Sequence, residues 1–212
     1  MQDHIDGVFE SVVGGHRERV ETAVRRSLES GIPAETVLKE GLVRAMDEVG
    51  RRFETCEYYV PEMLAAARAM KAGLSLLKAD LVMTSPAAGP RVVLGTVQGD
   101  MHDIGKSLVG MMLEGAGFEV HDLGVDVSPA HFVEVVREVK PSVVGLSALL
   151  TTTMTQMRAT ITAIEQSGLR PEVRIIVGGA PVTEAFARAI GADGTAPDAS
   201  RAVALVRGLL SA

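Results

Sequence analysis

The sequence predicts an α/β protein in which a helical bundle precedes a doubly wound parallel sheet. From about Ile5 to Val82, apolar residues recur at spacings of three and four, which is the period of amphipathic helices. In the second half, short runs rich in Val and Ile alternate with helical segments, the pattern of βα units. The run from Met83 to Pro90 breaks both periods. We therefore expect a helical domain over residues 1–84, a hinge-like linker over 85–90 and an α/β domain over 91–212.

The helical half is expected to form a four-helix bundle. Pro33 and Pro61 stand where two of its helices would begin, because proline at the first helical position loses no needed hydrogen bond. One apolar face consists of Leu38, Leu42, Met46, Val49 and Phe53. A face of this kind is buried against neighbouring helices.

Five apolar runs predict the strands of the sheet, and five amphipathic segments predict its helices. The strands are expected at residues 92–97, 118–123, 142–147, 173–177 and 192–195. The helices are expected near residues 106–115, 129–139, 155–166, 182–190 and 198–210. This alternation predicts a Rossmann-like (flavodoxin-like) parallel five-stranded domain, in which ligands bind beyond the carboxyl ends of the strands.

The composition argues against two classes of binding partner, nucleic acids and membranes. Of 212 residues, 47% are hydrophobic and 23% are charged, and the net charge is -6. An acidic chain without tryptophan offers neither a basic field for phosphates nor a platform for base stacking, so we expect no nucleic-acid partner. The amino terminus lacks the pattern of a signal peptide, and no stretch suits a membrane span, so we expect no membrane association. The single cysteine, Cys56, fits a reducing, cytoplasmic setting.

Three loops at the expected carboxyl edge of the sheet carry the residues of interest. The first reads Gly99-Asp100-Met101-His102-Asp103-Ile104-Gly105-Lys106 and places one imidazole between two carboxylates. The third strand is followed by Ser147-Ala148-Leu149 and by Thr151, Thr152 and Thr153, and the fourth strand by Gly178-Gly179. Small residues at strand ends leave room for a ligand that passes close to the backbone. The loops together predict a narrow binding slot.

Each loop taken alone has a simpler interpretation. A surface His beside Asp is usually a solvated pair, Ser147 suits a helix cap, and Gly178-Gly179 suits a tight turn. A phosphate-accepting receiver domain would need an acceptor Asp after the third strand, where this chain has Ser147. A flavodoxin would need a Ser/Thr/Gly phosphate loop after the first strand, where this chain is acidic. The joint placement of the loops favours a binding site.

The motifs resemble those of corrinoid methyltransferase proteins and of the cobalamin-binding domain of methionine synthase. D-x-H-x-x-G stands at residues 100–105, S-x-L at 147–149 and G-G at 178–179. In the first half, the segments that resemble the family's helical cap are residues 46–53, 58–64 and 66–70. The resemblance covers nearly the whole chain, and motifs ordered across two domains make chance agreement improbable.

This resemblance implies a cobalamin (methylcobalamin) site with a base-off, His-on arrangement. His102 would be the lower axial ligand of cobalt, Asp100 would accept a hydrogen bond from its other ring nitrogen, and the Thr153 hydroxyl would extend this relay. The implied cofactor-binding residues are Asp100, Met101, His102, Asp103, Ile104, Gly105, Ser147, Leu149, Thr151, Thr153, Gly178, Gly179 and Thr195, with Phe53, Val60 and Met63 of the cap over the corrin. Two positions depart from the family pattern: Cys56 stands where many relatives have Gly, and Thr195 where an aromatic residue is common.

The resemblance further implies a methyl carrier, because the chain has no room for substrate domains. The expected partners are a substrate-specific methyltransferase, which supplies the methyl group, and a second methyltransferase, which passes it to a folate or thiol acceptor. A reductive activation protein is a further expected partner. A cobalamin-dependent sensor is the alternative, disfavoured because the helices form the cap and the charge is acidic. An adenosylcobalamin mutase subunit shares the His motif but does not usually carry this cap.

Overall fold

The computed structural model describes residues 2–84 and 89–211, with residues 78–84 described by their backbone alone. The chain divides into two compact units. The helical unit consists of Met1–Gly89 and Met111–Gly117, and the α/β unit of Pro90–Gly110 and Phe118–Ala212. The domain limits expected from the sequence stay a prediction, and four residues of the expected linker, 85–88, lie outside the described residues.

Four helical segments make up residues 2–84 of the helical unit, as the apolar spacing predicts. The first two are α1 (Gln2–Val13) and α2 (Arg17–Glu29), and the last is α5 (Val60–Thr84). The third is one continuous segment made of α3 (Ala34–Thr36), a π-helix (Val37–Val43) and α4 (Arg44–Glu54). Pro33 directly precedes α3, and Pro61 is the second residue of α5. The fully buried side chains of this unit include Val8, Val20, Val24, Leu42, Val49 and Met63. The apolar stripes therefore face inward.

The π-helix between α3 and α4 is a feature that the apolar spacing does not predict. A π-helix places one extra residue in each turn and usually occurs as a short insertion in an α-helix. Gly41 lies in this segment against α1, where an added Cβ would stand only 2.9 Å from Cγ1 of Val8. The missing side chain therefore allows the two helices to approach closely.

Five parallel strands form one sheet in the α/β unit. They are β1 (Arg91–Thr96), β2 (Glu119–Asp122), β3 (Val143–Ser147), β4 (Arg174–Gly178) and β5 (Gly194–Thr195). Their order is β2-β1-β3-β4-β5, which is the flavodoxin-like order. The predicted fold class is confirmed. β5 is shorter than expected, because only two of its residues pair with β4.

Helices cover both faces of the sheet. They are α6 (Ile104–Gly115), α7 (Pro129–Val139), α8 (Met154–Gln166), α9 (Glu184–Ala189) and α10 (Ala199–Ser211), with a 3-10 turn at Arg170–Glu172. On one face, Val93, Val144 and Ile175 pack in a cluster with Phe132 of α7 and Met157 of α8. On the other, Leu94 approaches α6 at Gly110, and Gly194 approaches Leu205 of α10. None of the helices in the part of the chain that the structure describes combines the length and the hydropathy of a membrane span.

Candidate functional site

The three loops singled out in the sequence start at neighbouring points on the carboxyl edge of the sheet. In the strand register, Thr96 of β1 pairs with Ser147 of β3, and Ser147 pairs with Gly178 of β4. The order β2-β1-β3 makes the gap between β1 and β3 the topological switch point, where ligands of this class of sheet bind. The β1 loop and the β3 loop therefore leave the sheet side by side.

Asp100 is the centre of the hydrogen bonds between these two loops. Its side chain is fully buried, and Oδ1 accepts from the backbone N–H of His102 at 3.1 Å and from Nδ1 of the same residue at 2.7 Å. Oδ2 accepts from the backbone N–H groups of Leu149 and Leu150 at 2.8 and 3.2 Å and from Oγ1 of Thr153 at 2.6 Å. The carboxylate thus joins the His102 loop to the loop after β3. Both side-chain hydrogen bonds implied by the resemblance are present.

The electrostatics of Asp100 fix the hydrogen-bond direction at His102. Burial by itself raises the pKa of Asp100, but hydrogen bonds from Thr153, from His102 and from the backbone N–H of Leu149 outweigh it and hold the pKa well below its usual range. Asp100 is therefore an ionised acceptor, and Nδ1 of His102 carries the proton. In the neutral imidazole, Nε2 then has the free lone pair.

His102 presents that nitrogen at the edge of the sheet. Its side chain is 51% exposed, and among the described residues no hydrogen bond joins Nε2 to the protein. An imidazole whose Nδ1–H is held by a carboxylate, and whose Nε2 is free, is the usual form of a metal-ligating histidine. No group of three or more His, Cys, Asp or Glu side chains within the described residues could hold a metal. The donor set is one imidazole, which fits a metal whose other ligands come from a cofactor.

Exposed apolar side chains lie in the loop of His102 and in the neighbouring loop after β3. Met101 and Ile104 of the same loop are 68% and 80% exposed, and Leu149 and Leu150 of the neighbouring loop are each 43% exposed. These four residues belong to a short set of exposed large hydrophobic residues in the described chain. Exposed apolar residues in the same loops as a polar group with a free lone pair are typical of a ligand site.

The glycines of the loops have two different roles. An added Cβ at Gly105 or Gly178 would meet no atom within 4 Å, so both positions leave open space beside the backbone. Gly179 has φ +136°, and a Cβ there would overlap the carbonyl oxygen of Ala148. Gly179 therefore allows the loop after β4 to approach the loop after β3, whereas the space beside Gly178 and Gly105 stays open.

Further residues outside the sequence motifs hold the His102 loop. The buried hydroxyl of Thr96 donates to the carbonyl oxygen of His102 at 3.0 Å. Lys106, whose side chain is 3% exposed, pairs with Asp122 at the end of β2, and Asp126 accepts from the backbone N–H of Gly99 at 2.7 Å. Sequence reasoning missed Thr96, Asp122 and Asp126 as parts of the site. For the two acids, the available signal was their position at the carboxyl end of β2, the neighbour of β1 in a flavodoxin-like sheet.

Family models and known proteins match nearly the whole chain. Two family models, each described as a B12 binding domain, match residues 90–204 and residues 5–78. A dimethylamine corrinoid protein of Methanosarcina acetivorans is 44% identical over 210 residues, which cover 99% of this chain and 97% of that protein. This chain belongs to the family of B12-binding corrinoid proteins.

Two solved structures show how far the family fold extends. A cobalamin-binding protein from Desulfitobacterium hafniense DCB-2 has a TM-score of 0.82 at 32% identity, with 97% of this chain and 98% of that chain covered. A chain of the methanol:cobalamin methyltransferase complex from Methanosarcina barkeri has a TM-score of 0.88 at 24% identity, with 99% of this chain and 80% of that chain covered. The second likeness shows the fold alone. The corrinoid protein fold predicted from the resemblance is thus confirmed.

The remaining site residues expected from the resemblance are dispersed over both units. Asp103 and Thr151 are exposed in the loops after β1 and β3, and Thr195 is half-buried at the end of β5 beside Val177. In the helical unit Phe53 is half-buried, Val60 is exposed and Met63 is completely buried. Their contacts with a corrinoid stay a prediction.

The connection between α4 and α5 is held by a network of charged groups. Glu48 accepts hydrogen bonds from Arg51 and Arg52 at 2.7 to 2.9 Å, and these lower its pKa to about 2. Arg52 also donates to the hydroxyl of Tyr58 at 3.1 Å, and that hydroxyl donates to the carbonyl oxygen of Val13 in α1. Cys56 lies in this connection with φ +58°. This is the position where the resemblance leads one to expect Gly.

Proposed function

We propose that this chain carries a methyl group on a cobalamin cofactor between two methyltransferases. One is specific for the methylated substrate, and the other acts on a folate or thiol acceptor. Support comes from the family match and from the relative described as a dimethylamine corrinoid protein. Acting as a methyl-carrier subunit, the protein would also meet a reductive activation protein. The identity of the methyl donor then belongs to the first partner.

The observation that carries the proposal is the arrangement of His102. Nδ1 is held on the buried carboxylate of Asp100, and Nε2 has no hydrogen-bond partner among the described residues. We infer that Nε2 is the lower axial ligand of cobalt in the base-off, His-on form. Bound cobalamin supplies a cobalt atom that can take up and release a methyl group.

Asp100 and Thr153 control the imidazole in this proposal. Thr153 donates to Oδ2 of Asp100, and the carboxylate keeps the proton of His102 on Nδ1. This fixes the tautomer and makes Nε2 a stronger donor, as carboxylates hydrogen-bonded to metal-bound histidines do. Because three groups of the β3 loop hold Asp100 in place, the ligand nitrogen needs little reorganisation when it binds.

The surroundings of His102 suit a large cofactor with an extended tail. Met101, Ile104, Leu149 and Leu150 offer apolar surface to the corrin ring. The open space beside Gly105 and Gly178 leaves a path along the strand ends for the nucleotide tail, with Ser147 and Thr195 at the same edge. We assign the tail to this path.

The helical unit contributes the cap over the other face of the corrin in our proposal. The resemblance assigns this role to Phe53, Val60 and Met63. Within the helical unit itself, Val60 is the exposed one of the three, and Met63 is fully buried. Substitution of Val60 should therefore affect access to the cofactor without loosening the helical core.

The test compares two histidines of equal exposure. The full-length protein, His102→Ala and His131→Ala are each loaded with cobalamin and reduced to the paramagnetic cobalt(II) form. His131 is also 51% exposed and also pairs with a carboxylate, that of Glu134, but it lies on α7. Electron paramagnetic resonance then reports whether an imidazole nitrogen is bound to cobalt.

We expect nitrogen coupling from a protein imidazole in the unchanged protein and in His131→Ala, and none in His102→Ala. His102→Ala should still bind cobalamin, with an affinity at least tenfold lower, because one coordinate bond is lost while the tail path remains. Coupling that persists in His102→Ala would remove the basis of the proposal, and so would failure of the unchanged protein to retain cobalamin.

A further inference from the structure

Asp126 lies in the turn after β2 and makes two hydrogen bonds to the loop that carries His102. Its Oδ1 accepts from the backbone N–H of Gly99 at 2.7 Å. Its own backbone N–H donates to the carbonyl oxygen of Asp100 at 3.0 Å. Asp126 therefore contacts the backbone on both sides of the Gly99–Asp100 peptide bond.

These contacts act on the loop from the side opposite to the β3 loop. β1 lies between β2 and β3 in the sheet. From the β3 side, Leu149, Leu150 and Thr153 hold the carboxylate of Asp100. From the β2 side, Asp126 holds the main chain of the same residue. If only the carboxylate of Asp100 were held, a rotation of its main chain would change the direction of the hydrogen bond between Oδ1 of Asp100 and Nδ1 of His102.

The backbone of Asp126 has a conformation that needs such contacts, whereas Gly99 adopts its own freely. Gly99 has φ +81° and Asp126 has φ +54°, so both occupy the left-handed region, which Asp tolerates better than most residues because of its short polar side chain. The Asp126 carboxylate accepts a charge-assisted hydrogen bond from a backbone N–H group. Residues held in such conformations persist where the surrounding structure fixes them.

We propose that Asp126 is a positioning residue for the imidazole of His102, acting through the backbone of Gly99 and Asp100. This inference rests on the proposed role of His102. Asp126 does not touch the imidazole. It sets the orientation of Asp100, and Asp100 sets the direction in which Nε2 points.

The test uses substitutions that separate the acceptor from the backbone conformation. Asp126→Asn keeps an Oδ1 acceptor and tolerates a positive φ, whereas Asp126→Gly keeps the backbone conformation and its N–H but removes the acceptor. Lys140→Gly is the matched control, since Lys140 has φ +50° at the carboxyl end of α7, away from the carboxyl edge of the sheet. Asp126→Ala also removes the acceptor but adds a Cβ at this φ, so its difference from Asp126→Gly measures the backbone cost alone.

The whole 212-residue chain is measured without and with cobalamin, and its unfolding is followed separately. In the corrinoid-free protein, hydrogen exchange of the Gly99 amide and the nitrogen-15 shifts of the His102 ring report the loop and the tautomer. In the cobalamin-loaded protein, electron paramagnetic resonance reports the fraction with an imidazole nitrogen on cobalt. Urea unfolding midpoints show whether the fold as a whole is affected.

We expect Asp126→Gly to speed exchange of the Gly99 amide about tenfold, the effect of one lost charge-assisted hydrogen bond. It should lower the imidazole-bound fraction at least threefold, with an unfolding midpoint close to that of Lys140→Gly. Asp126→Asn should resemble the unchanged protein in both readouts. Equal losses in the Asn and Gly variants, or no loss in Gly, would overturn the inference. Absence of imidazole coupling in the unchanged protein would overturn instead the proposed role of His102.

Discussion

Two carboxylates of this chain have opposite surroundings: Asp100 in the His102 loop, and Glu48 in α4, which holds the arginines that contact the connection between α4 and α5. Asp100 is completely buried and accepts hydrogen bonds from backbone N–H groups, a hydroxyl and an imidazole. Glu48 has a quarter of its side chain exposed and accepts from the guanidinium groups of Arg51 and Arg52. Both carboxyl groups have a lowered pKa. In one case uncharged, fixed donors outweigh burial, and in the other nearby cations act close to water.

The difference indicates which loop is built to stay in place. The backbone N–H groups that donate to Asp100 belong to the loop at the sheet edge. Because Asp100 is buried, added salt screens these hydrogen bonds only weakly. Ion pairs near the surface contribute less and weaken as salt is added. We therefore predict that the His102 loop is a fixed loop and that the connection between α4 and α5 is an adjustable loop, whose contribution to stability responds to salt and pH. The predictions below test this contrast.

The largest effect is expected at the sheet edge, where two adjacent glycines should behave differently. Gly179→Ala should lower the free energy of unfolding by about 3 kcal/mol or more, because its Cβ would overlap the carbonyl oxygen of Ala148 at an unfavourable φ. Gly178→Ala should change it by less than about 1 kcal/mol, since its Cβ meets open space. Urea unfolding followed by circular dichroism measures both.

The same pair of variants separates the fold from the proposed tail path. Gly178→Ala should weaken cobalamin binding although the fold is intact, because the added methyl group enters the space beside the strand end. Similar stability losses in the two variants would contradict the distinction between a close backbone approach and a ligand path.

The second prediction concerns Asp100 itself. Asp100→Asn should destabilise the protein by about 2 kcal/mol, because an amide NH₂ group cannot accept from the donors that face the carboxylate. The amide should also allow Nδ1 of His102 to become the acceptor, which moves the ring proton to Nε2. Nitrogen-15 shifts of the His102 ring in the corrinoid-free protein report this change of tautomer.

Asp103→Asn is the stability control for that experiment, since Asp103 is an exposed acid in the same loop. It should change the unfolding midpoint by less than about 0.5 kcal/mol and leave the tautomer unchanged. If Asp100→Asn kept the proton on Nδ1, the carboxylate would not be what sets the tautomer.

Much of this candidate site could be predicted from the sequence, but the predictions rest on three different kinds of observation. The strands follow from Val- and Ile-rich runs, and β1, β3 and β4 lie within one residue of the expected positions. The pairing of Asp100 with His102 came from the resemblance, because the residues alone suit a solvated pair equally well. The flavodoxin-like order, once predicted, placed the β1 and β3 loops together.

What the sequence did not reveal depends on tertiary contacts. Asp126 is 27 positions from Gly99, its hydrogen-bond partner, and no motif joins them. The π-helix at Val37–Val43 contains Gly41, and the close approach of Gly41 to Val8 is defined only in the packed bundle. Thr96 is hidden inside an apolar strand, where a hydroxyl gives no signal until its partner, the carbonyl oxygen of His102, is known.

The third prediction tests the adjustable loop through pH and salt. The pKa of Glu48 is lowered from an ordinary 4.5 to about 2, so its contribution to stability is present above pH 4.5 and is lost as the pH falls from 4.5 towards 2. Glu48→Gln should therefore cost about 1 kcal/mol at pH 7, after allowance for screening, and progressively less at pH 4 and pH 3. Unfolding midpoints of both proteins along this series measure the difference.

Salt provides the comparison with Asp100. At about 1 M salt the cost of Glu48→Gln at pH 7 should fall by half or more, because the pairs with Arg51 and Arg52 are screened. The cost of Asp100→Asn should change little under the same conditions. An equal response of the two variants to salt would refute the division into a fixed loop and an adjustable loop.

The smallest effect is expected at Cys56, in the adjustable loop. Cys56 holds φ +58° without the freedom of glycine, and the left-handed region costs a residue with a Cβ about 1 kcal/mol. Cys56→Gly and Cys56→Ala both remove the thiol, but only Gly removes the strain. Because glycine also loses more entropy on folding, we expect Cys56→Gly to exceed Cys56→Ala in stability by about 0.5 kcal/mol in urea unfolding. Equal unfolding midpoints of the two variants would mean that Cys56 causes no backbone strain, because the connection between α4 and α5 adjusts its backbone to a residue with a Cβ. The adjustable loop would then include the backbone as well as the charged side chains.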